Sequence, residues 1–194
     1  MENIITFSHV EFNPLEPEPD GIKVVDIAHA LSQICRAGGH YSEFYSVAAH
    51  CLNCFDEAVA RMETPRVRMA CLLHDASEAY LSDITRPVKK NLKDYLEIEE
   101  KLQNAIYLKF LGSPLDDYEK QMVQMIDDTL FEHEFYEFTA IKVKDELPFV
   151  AAQPDFFKGT MKQVEVAFIE AFGSIDLNAK PRKTEGKATI KWIR

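Results

Sequence analysis

Along most of this chain apolar residues return at intervals of three and four, the spacing of helices with one buried face. From about Lys23, the residues Val24, Ile27, Ala28, Leu31 and Ile34 make such a face, and Gly38-Gly39 is placed to end it. A second helix is predicted from about Ser42 to Met62, and Pro65 stands just before a third, from about Val67 to Tyr80. The stretch SDITRPVKK reads as a loop with a proline stop. Residues 91–111 form a long amphipathic helix with Leu92, Leu96, Leu102, Ile106 and Phe110 roughly on one side. Gly112-Ser113-Pro114 separates it from another helix, from about Asp116 to Phe138; a looser segment follows, and MKQVEVAFIEAF reads as the last helix. The period changes only near the start. There NIITFSHVEF, residues 3–12, alternates as a short strand or hairpin does, and NPLEPEPDG breaks the pattern in a turn. The prediction is an all-α helical bundle with a small N-terminal β element.

Composition adds scale to that picture. A chain of 194 residues, 46% hydrophobic and 28% charged, suits one domain with a substantial core. Its expected span is residues 1–177, and the tail 178–194, with six Lys/Arg against one acid, reads as exposed. Such a core needs no metal or disulfide staple, so a bound metal would serve chemistry. With 22 Lys+Arg against 32 Asp+Glu the net charge is −10, which argues against a nucleic-acid partner. An anionic small substrate would then need a local positive device. The acidic start lacks a secretory pattern, and no apolar run approaches the roughly 20 residues of a membrane span. Four cysteines without an export signal read as reduced thiols, so the expected compartment is the cytoplasm, with no membrane partner.

The first candidate for chemistry is His74-Asp75. As a bare dipeptide it is weak, since about 0.4 such pairs arise by chance at this composition. Its setting is stronger: it follows the apolar MACLL, Glu78 lies on the same side of the predicted helix, and Asp83 comes one loop later. Three acids and a histidine against an apolar stretch are expensive to desolvate, and a divalent cation would offset that cost. The competing reading is an exposed helix end with solvated acids. Further ligands would have to come from elsewhere. His50 sits mid-helix in an apolar segment, where a satisfied core histidine is the ordinary alternative. In the pair Asp127-Asp128, Asp127 shares the more apolar helix face and Asp128 reads as solvated.

Two competing constellations can be weighed in the same way. Cys51-x-x-Cys54 and Cys71-x-x-His74 have the chemistry of structural zinc, but both lie within predicted long helices, and Cys35, Cys51, Cys54 and Cys71 read as core thiols. Arg36, His40, Arg86, Lys89 and Lys90 are candidates for phosphate binding; Arg36 could equally neutralise a helix C-terminus, and the lysines could be a solvated pair. No P-loop, G-x-G-x-x-G or G-x-S-x-G is present.

ICRAGGHYSEFYSVAAHC, then LLHDASEAYLSDITRPVKK, then VQMIDD about 35 residues on, together resemble the HD-domain phosphohydrolases. The nearest branch is similar to the small bacterial and prophage 5′-deoxynucleotidases, over roughly residues 3–138. The resemblance implies a metal quartet of His50, His74, Asp75 and Asp127, holding a divalent ion (Co, Mn, Mg, Fe or Zn). It implies Glu78 as the base or water-orienting group, and Asp83 as a second acid touching the sugar or the water. Arg36 and Lys89 would meet the substrate phosphate, and His40 matches a histidine usual in the branch. Ala49 and Thr85 depart from the pattern without removing a ligand, and the segment after about residue 140 matches poorly. The implied activity is cleavage of the 5′-phosphoester of deoxynucleotides by a homo-oligomer. A dNMP would give deoxynucleoside and phosphate; the alternative is a dATP-type triphosphohydrolase. A non-catalytic nucleotide-sensing module is a reading of another class. Cyclic-nucleotide or (p)ppGpp hydrolysis is a third, disfavoured by the short length and the SDITRPVKK loop.

Overall fold

The computed structural model describes residues 3–157 and 159–178, so most of the predicted basic tail lies outside the described residues. The N-terminal alternation folds as an antiparallel pair, β1 (Ile4–Ile5) with β2 (Glu11–Phe12), in the register Ile4 opposite Phe12. Ser8 fastens the intervening turn to the first helix: its N–H and hydroxyl both donate to the carboxylate of buried Asp26, at 2.6 and 2.9 Å. Phe12 enters the core beside Tyr80.

Eight helices follow among the described residues: α1 (Val24–Gln33), α2 (Val47–Ala60), α3 (Pro65–Leu73), α4 (Glu78–Leu81), α5 (Arg86–Lys89), α6 (Lys93–Leu111), α7 (Asp117–Thr139) and α8 (Met161–Gly173). The fold is thus a helical bundle with a small β element, as the periodicity indicates. Helix α2 runs through its middle, packed by α1, α3, α7 and α8, and is buried on nearly every side over its first two turns. Ile27, Leu31, Leu72, Leu102, Ile106, Ile126, Leu130 and Phe168 fill the core around it.

Three boundaries differ from the periodic pattern, each for a local reason. Helix α1 stops at Gln33, well before the glycines, because residues 34–36 leave it extended and pair with 45–47. The Arg36 N–H donates to the Tyr45 carbonyl (2.8 Å) and the Val47 N–H to that of Ile34 (3.0 Å). That pairing also delays α2 to Val47, where the Ser46 side chain accepts from the Ala49 N–H as its cap. Between these segments Ala37, Gly38 and Gly39 turn the chain through the left-handed region (φ 55°, 60° and 80°).

The third difference matters most. The helix predicted to run unbroken to Tyr80 ends at Leu73, and residues 74–77 continue in tight turns before α4 begins. The break is held from outside. Gln103 of α6 donates its amide N–H to the Leu73 carbonyl (2.7 Å), which also accepts the Ala76 N–H (3.0 Å), and accepts the Ser77 N–H on its amide oxygen (3.0 Å). One side chain thus bridges the two ends of the interruption. The segment expected to be a plain loop contains the single turn α5, with Pro87 in its first positions, where a missing N–H does no harm.

Long helices α6 and α7 end as their sequences indicate. Gly112 caps α6 in the left-handed conformation, and Asp116 and Glu119 form a capping box on α7. The irregular stretch between α7 and α8 is pinned to α2. Asn53 exchanges two hydrogen bonds with the Asp155 backbone, and the Glu57 carboxylate accepts from the N–H groups of Ala151 and Ala152.

Candidate active site

His50 projects from α2, His74 and Asp75 lie in the break after α3, and Asp127 projects from the middle of α7. The fold brings these four side chains together. His50 Nε2 is 3.1 Å from His74 Nε2, 3.0 Å from an Asp127 oxygen and 3.8 Å from Asp75 Oδ2. His74 Nε2 is 3.2 Å from the same Asp75 oxygen and 3.8 Å from the same Asp127 oxygen. His74 is not in the helix interior, as the unbroken prediction has it, but caps the end of α3. The turn that follows is what swings Asp75 toward His50.

The other ring nitrogens decide what this convergence means. His50 Nδ1 lies 2.5 Å from the carboxylate of Glu134, and His74 Nδ1 lies 2.8 Å from the Cys71 carbonyl. Both partners can only accept, so each imidazole carries its proton on Nδ1 and presents a lone pair at Nε2. In the neutral form these two ring nitrogens face the Asp75 and Asp127 carboxylates, with Arg36 on the Asp75 oxygen that faces them and Arg86 on the far oxygen of Asp127. A bound cation would satisfy the lone pairs that converge there. Separations of 3.0–3.8 Å are also the edge lengths of a polyhedron whose centre lies about 2.1 Å from each ligand. The donor set thus fits a divalent transition metal with mixed N/O ligands.

The charges agree with that reading. Burial and Arg36 pull the His50 imidazole down, yet Glu134 and Asp127 outweigh them and hold it above its ordinary value. Burial likewise opposes protonation of His74, and Asp75 more than reverses it. Burial resists ionisation of Asp127, but the two histidines hold it well below the usual carboxylate range. The protein alone therefore draws positive charge into the quartet.

Behind the four converging residues stands a set of groups that hold them. Glu134, fully buried, also accepts from Tyr45 Oη (2.9 Å) and from Arg36 (3.4 Å). Arg36 donates another nitrogen to Asp75 (3.0 Å), so one guanidinium bridges Asp75 and the carboxylate partner of His50. It does not sit at a helix C-terminus. Arg86 clamps the second oxygen of Asp127 and an oxygen of Asp128, each at 2.7 Å, and stacks over Phe131. Asp128, expected to be merely solvated, is half exposed but paired. Glu134 escaped the sequence reading, where it passes as one more acid in EHEFYEF. The available signal was its position seven residues after Asp127, two turns along the same helix face.

A cleft of about 390 Å³ opens onto Asp75 and Asp127, and Arg36, Glu78, Asp83 and Lys89 line it together with Arg86. Glu78 is 2% exposed. One of its oxygens takes Lys89 (3.0 Å), and the other is buried without a partner. Burial, then Asp75 and Asp83, push its carboxyl well above the usual range against the pull of Lys89. Lys89 is shared with Glu99 (2.7 Å). The cleft wall opposite is aromatic, formed by Tyr41, Phe131 and Phe135. His40 is exposed and not in this lining, and Lys90 is likewise absent from it.

The thiols lie on the core side of the ligands. Cys54 Sγ is 3.6 Å from His50 Nε2 and Cys51 Sγ 4.0 Å from His74 Nδ1, so each could join a histidine in a mixed donor group. Cys51, Cys54 and Cys71 are buried and free, and burial pushes all three thiols up, Cys71 to about 12. Burial agrees with the core-thiol reading for these three, whereas Cys35, read with them, is only half-buried.

Residues 41–171 match the HD domain family. The match takes in more than half of the chain and all four converging residues, and the protein belongs to the HD-domain family. Members of this family are generally metal-dependent phosphohydrolases, for which a His/Asp cluster of this kind is suited. The chain is similar to the uncharacterized protein YfdR of Escherichia coli, 41% identical over 110 residues, 57% of this chain and 59% of that protein. It is also similar to an uncharacterized protein of Rhodobacter capsulatus, 40% identical over 102 residues, 50% of this chain and 52% of that protein. The chain thus spans between half and three-fifths of these relatives. No helix among the described residues is long and apolar enough to cross a membrane.

Proposed function

We propose that this protein is a metal-dependent phosphohydrolase that cleaves the 5′-phosphoester of deoxynucleotides, a dNMP giving deoxynucleoside and inorganic phosphate. The observation that carries the proposal is the convergence of four acceptor atoms from His50, His74, Asp75 and Asp127 beside a cleft with an aromatic wall. A divalent ion held by these four would polarise the phosphate, lower the pKa of a bound water and neutralise developing charge. Glu78 is the group to take the proton of the attacking water or to orient it. It is buried at the cleft, has one oxygen free, and favours the protonated form more than an ordinary glutamate does. Water oxygen adds to phosphorus, the bond to the 5′-oxygen breaks, and that oxygen leaves with a proton. Arg36, with two of its donors on Asp75 and Glu134, keeps further N–H groups for a phosphate oxygen while it positions the ligands. Asp83 at the cleft wall suits a sugar hydroxyl, and Tyr41, Phe131 and Phe135 suit the apolar faces of a nucleoside.

The test is release of deoxynucleoside from each dNMP and dNTP with Co²⁺ or Mn²⁺, with EDTA, and with the Asp75→Ala variant. Turnover is expected only with metal, and the variant should lose roughly a thousandfold or more. Metal-loaded protein that turns over no nucleotide would refute the proposal.

A further inference from the structure

The buried thiols on the core side of the quartet approach it differently. Cys51 Sγ lies 4.0 Å from His74 Nδ1, a nitrogen whose proton is already given to the Cys71 carbonyl at 2.8 Å. Cys54 lies one turn after His50 on the same face of α2, is 1% exposed, and holds its Sγ 3.6 Å from His50 Nε2. That is the nitrogen left with a lone pair once Nδ1 donates to Glu134. The Cys54 sulfur and one ring nitrogen from each histidine all lie within 4.8 Å of one another. The spacing suits shared coordination. A nitrogen at about 2.1 Å and a sulfur at about 2.3 Å from one tetrahedral ion stand about 3.6 Å apart.

We propose that Cys54 is a further ligand of the metal centre, a thiolate outside the set of two histidines and two aspartates. Its chemistry makes the centre prefer thiophilic divalent ions, Zn²⁺, Co²⁺ and Cd²⁺, over Mn²⁺ and Mg²⁺. This rests on the reading above for the place of the ion, and not on the reading of the substrate. The bond that forms is sulfur to metal, the bond that breaks is S–H, and the proton passes to solvent as the ion enters. Nothing is oxidised or reduced. A soft sulfur donor adds much to the affinity for Zn²⁺ or Cd²⁺ and little to that for a hard ion that takes oxygen ligands.

The experiment uses the full chain, stripped of metal and kept reduced. Co²⁺ is titrated into wild type, Cys54→Ser, Cys54→Ala and Cys51→Ser, and bound ion and absorption are followed together. Wild type and Cys51→Ser should develop the near-ultraviolet charge-transfer band of a thiolate on Co²⁺, and both Cys54 variants should lack it. In competition titrations the preference for Cd²⁺ over Mn²⁺ should fall about tenfold or more in Cys54→Ser, with Mn²⁺ affinity itself unmoved. The Tm of each metal-free variant serves as the folding control, and the wild-type spectrum needs no variant at all. Co²⁺ bound to wild type without the band would overturn the proposal, as would a band that survives both Cys54 substitutions. Because no nucleotide enters, a Cys54-dependent band in protein that turns over no nucleotide would uphold the ligand and refute the proposed reaction.

Discussion

Helix α2 carries two buried polar centres two turns apart, and they are built on opposite principles. At Glu57, 1% exposed, every contact joins a donor to an acceptor: the carboxylate receives Arg61 Nε at 2.6 Å and the N–H groups of Ala151 and Ala152 at 2.9 and 2.7 Å. At His50, fully buried, Nε2 faces His74 Nε2 at 3.1 Å and an Asp127 oxygen at 3.0 Å, with the Cys54 thiol at 3.6 Å. The first centre is complete as it stands and fastens residues 151 and 152 to the bundle. The second gathers lone pairs that a cation would satisfy. A polar group in a core is ordinarily paired donor to acceptor, so two imidazoles and two carboxylates gathered at one point by well-paired neighbours mark where the fold is arranged for chemistry.

Removing a member from each centre separates the two most sharply. Glu57→Ala leaves Arg61 and two backbone N–H groups without their acceptor, and urea denaturation should show a loss of about 3 kcal/mol. Asp75→Ala takes one of its two carboxylate partners from Arg36, so the metal-free protein should lose about 1–3 kcal/mol, but unlike Glu57→Ala its folded fraction should show no turnover. Metal supplies the converse test. Mn²⁺ at a hundredfold excess over its Kd should stabilise wild type and Glu57→Ala alike by about 2.7 kcal/mol, and leave Asp75→Ala unmoved. Glu134 links the two principles, since it is fully paired yet fixes the tautomer of a ligand. Glu134→Gln should weaken metal binding about 10- to 100-fold in a competition titration, more than it lowers the Tm.

The smallest effect has the opposite sign. Glu78 is a carboxyl whose folded form prefers the proton, so its charged state opposes folding above its unfolded pKa, and the penalty grows as pH rises through its raised folded value. Glu78→Gln should therefore raise the Tm at pH 7.5 by about 2–4 °C for each kcal/mol relieved, while activity is lost. A fall in Tm would mean that the pairing with Lys89 outweighs burial.

Much of this is legible in the sequence. The apolar face of α1 and the positions of α6, α7 and α8 are plain in the periodicity, although Leu92 and Leu96, counted into the α6 face, are exposed, and helix-face arithmetic alone sets Asp127 apart from Asp128. What the sequence hides is set by distant partners. Nothing near residue 74 announces that the helix stops there, because the groups that hold the break belong to Gln103. The start of α2 is fixed by a pairing between residues 34–36 and 45–47, which no local propensity reports. By sequence Arg36 reads as neutralising a helix C-terminus or binding phosphate, and its bridging of Asp75 to Glu134 depends on residues 39 and 98 positions away.

Gln103 touches no acceptor of the quartet, yet it fixes the register in which His74 and Asp75 are delivered. Positions 73, 77 and 103 consequently form one heritable unit. A descendant that loses the glutamine must either recruit another side chain offering a donor and an acceptor at that spacing, or let residues 65–81 anneal into a single rod and withdraw Asp75. Drift at a residue remote from the reaction would then erase the activity as surely as loss of a ligand, and in a panel of diverged sequences such a chain would keep its HD signature while having gone silent.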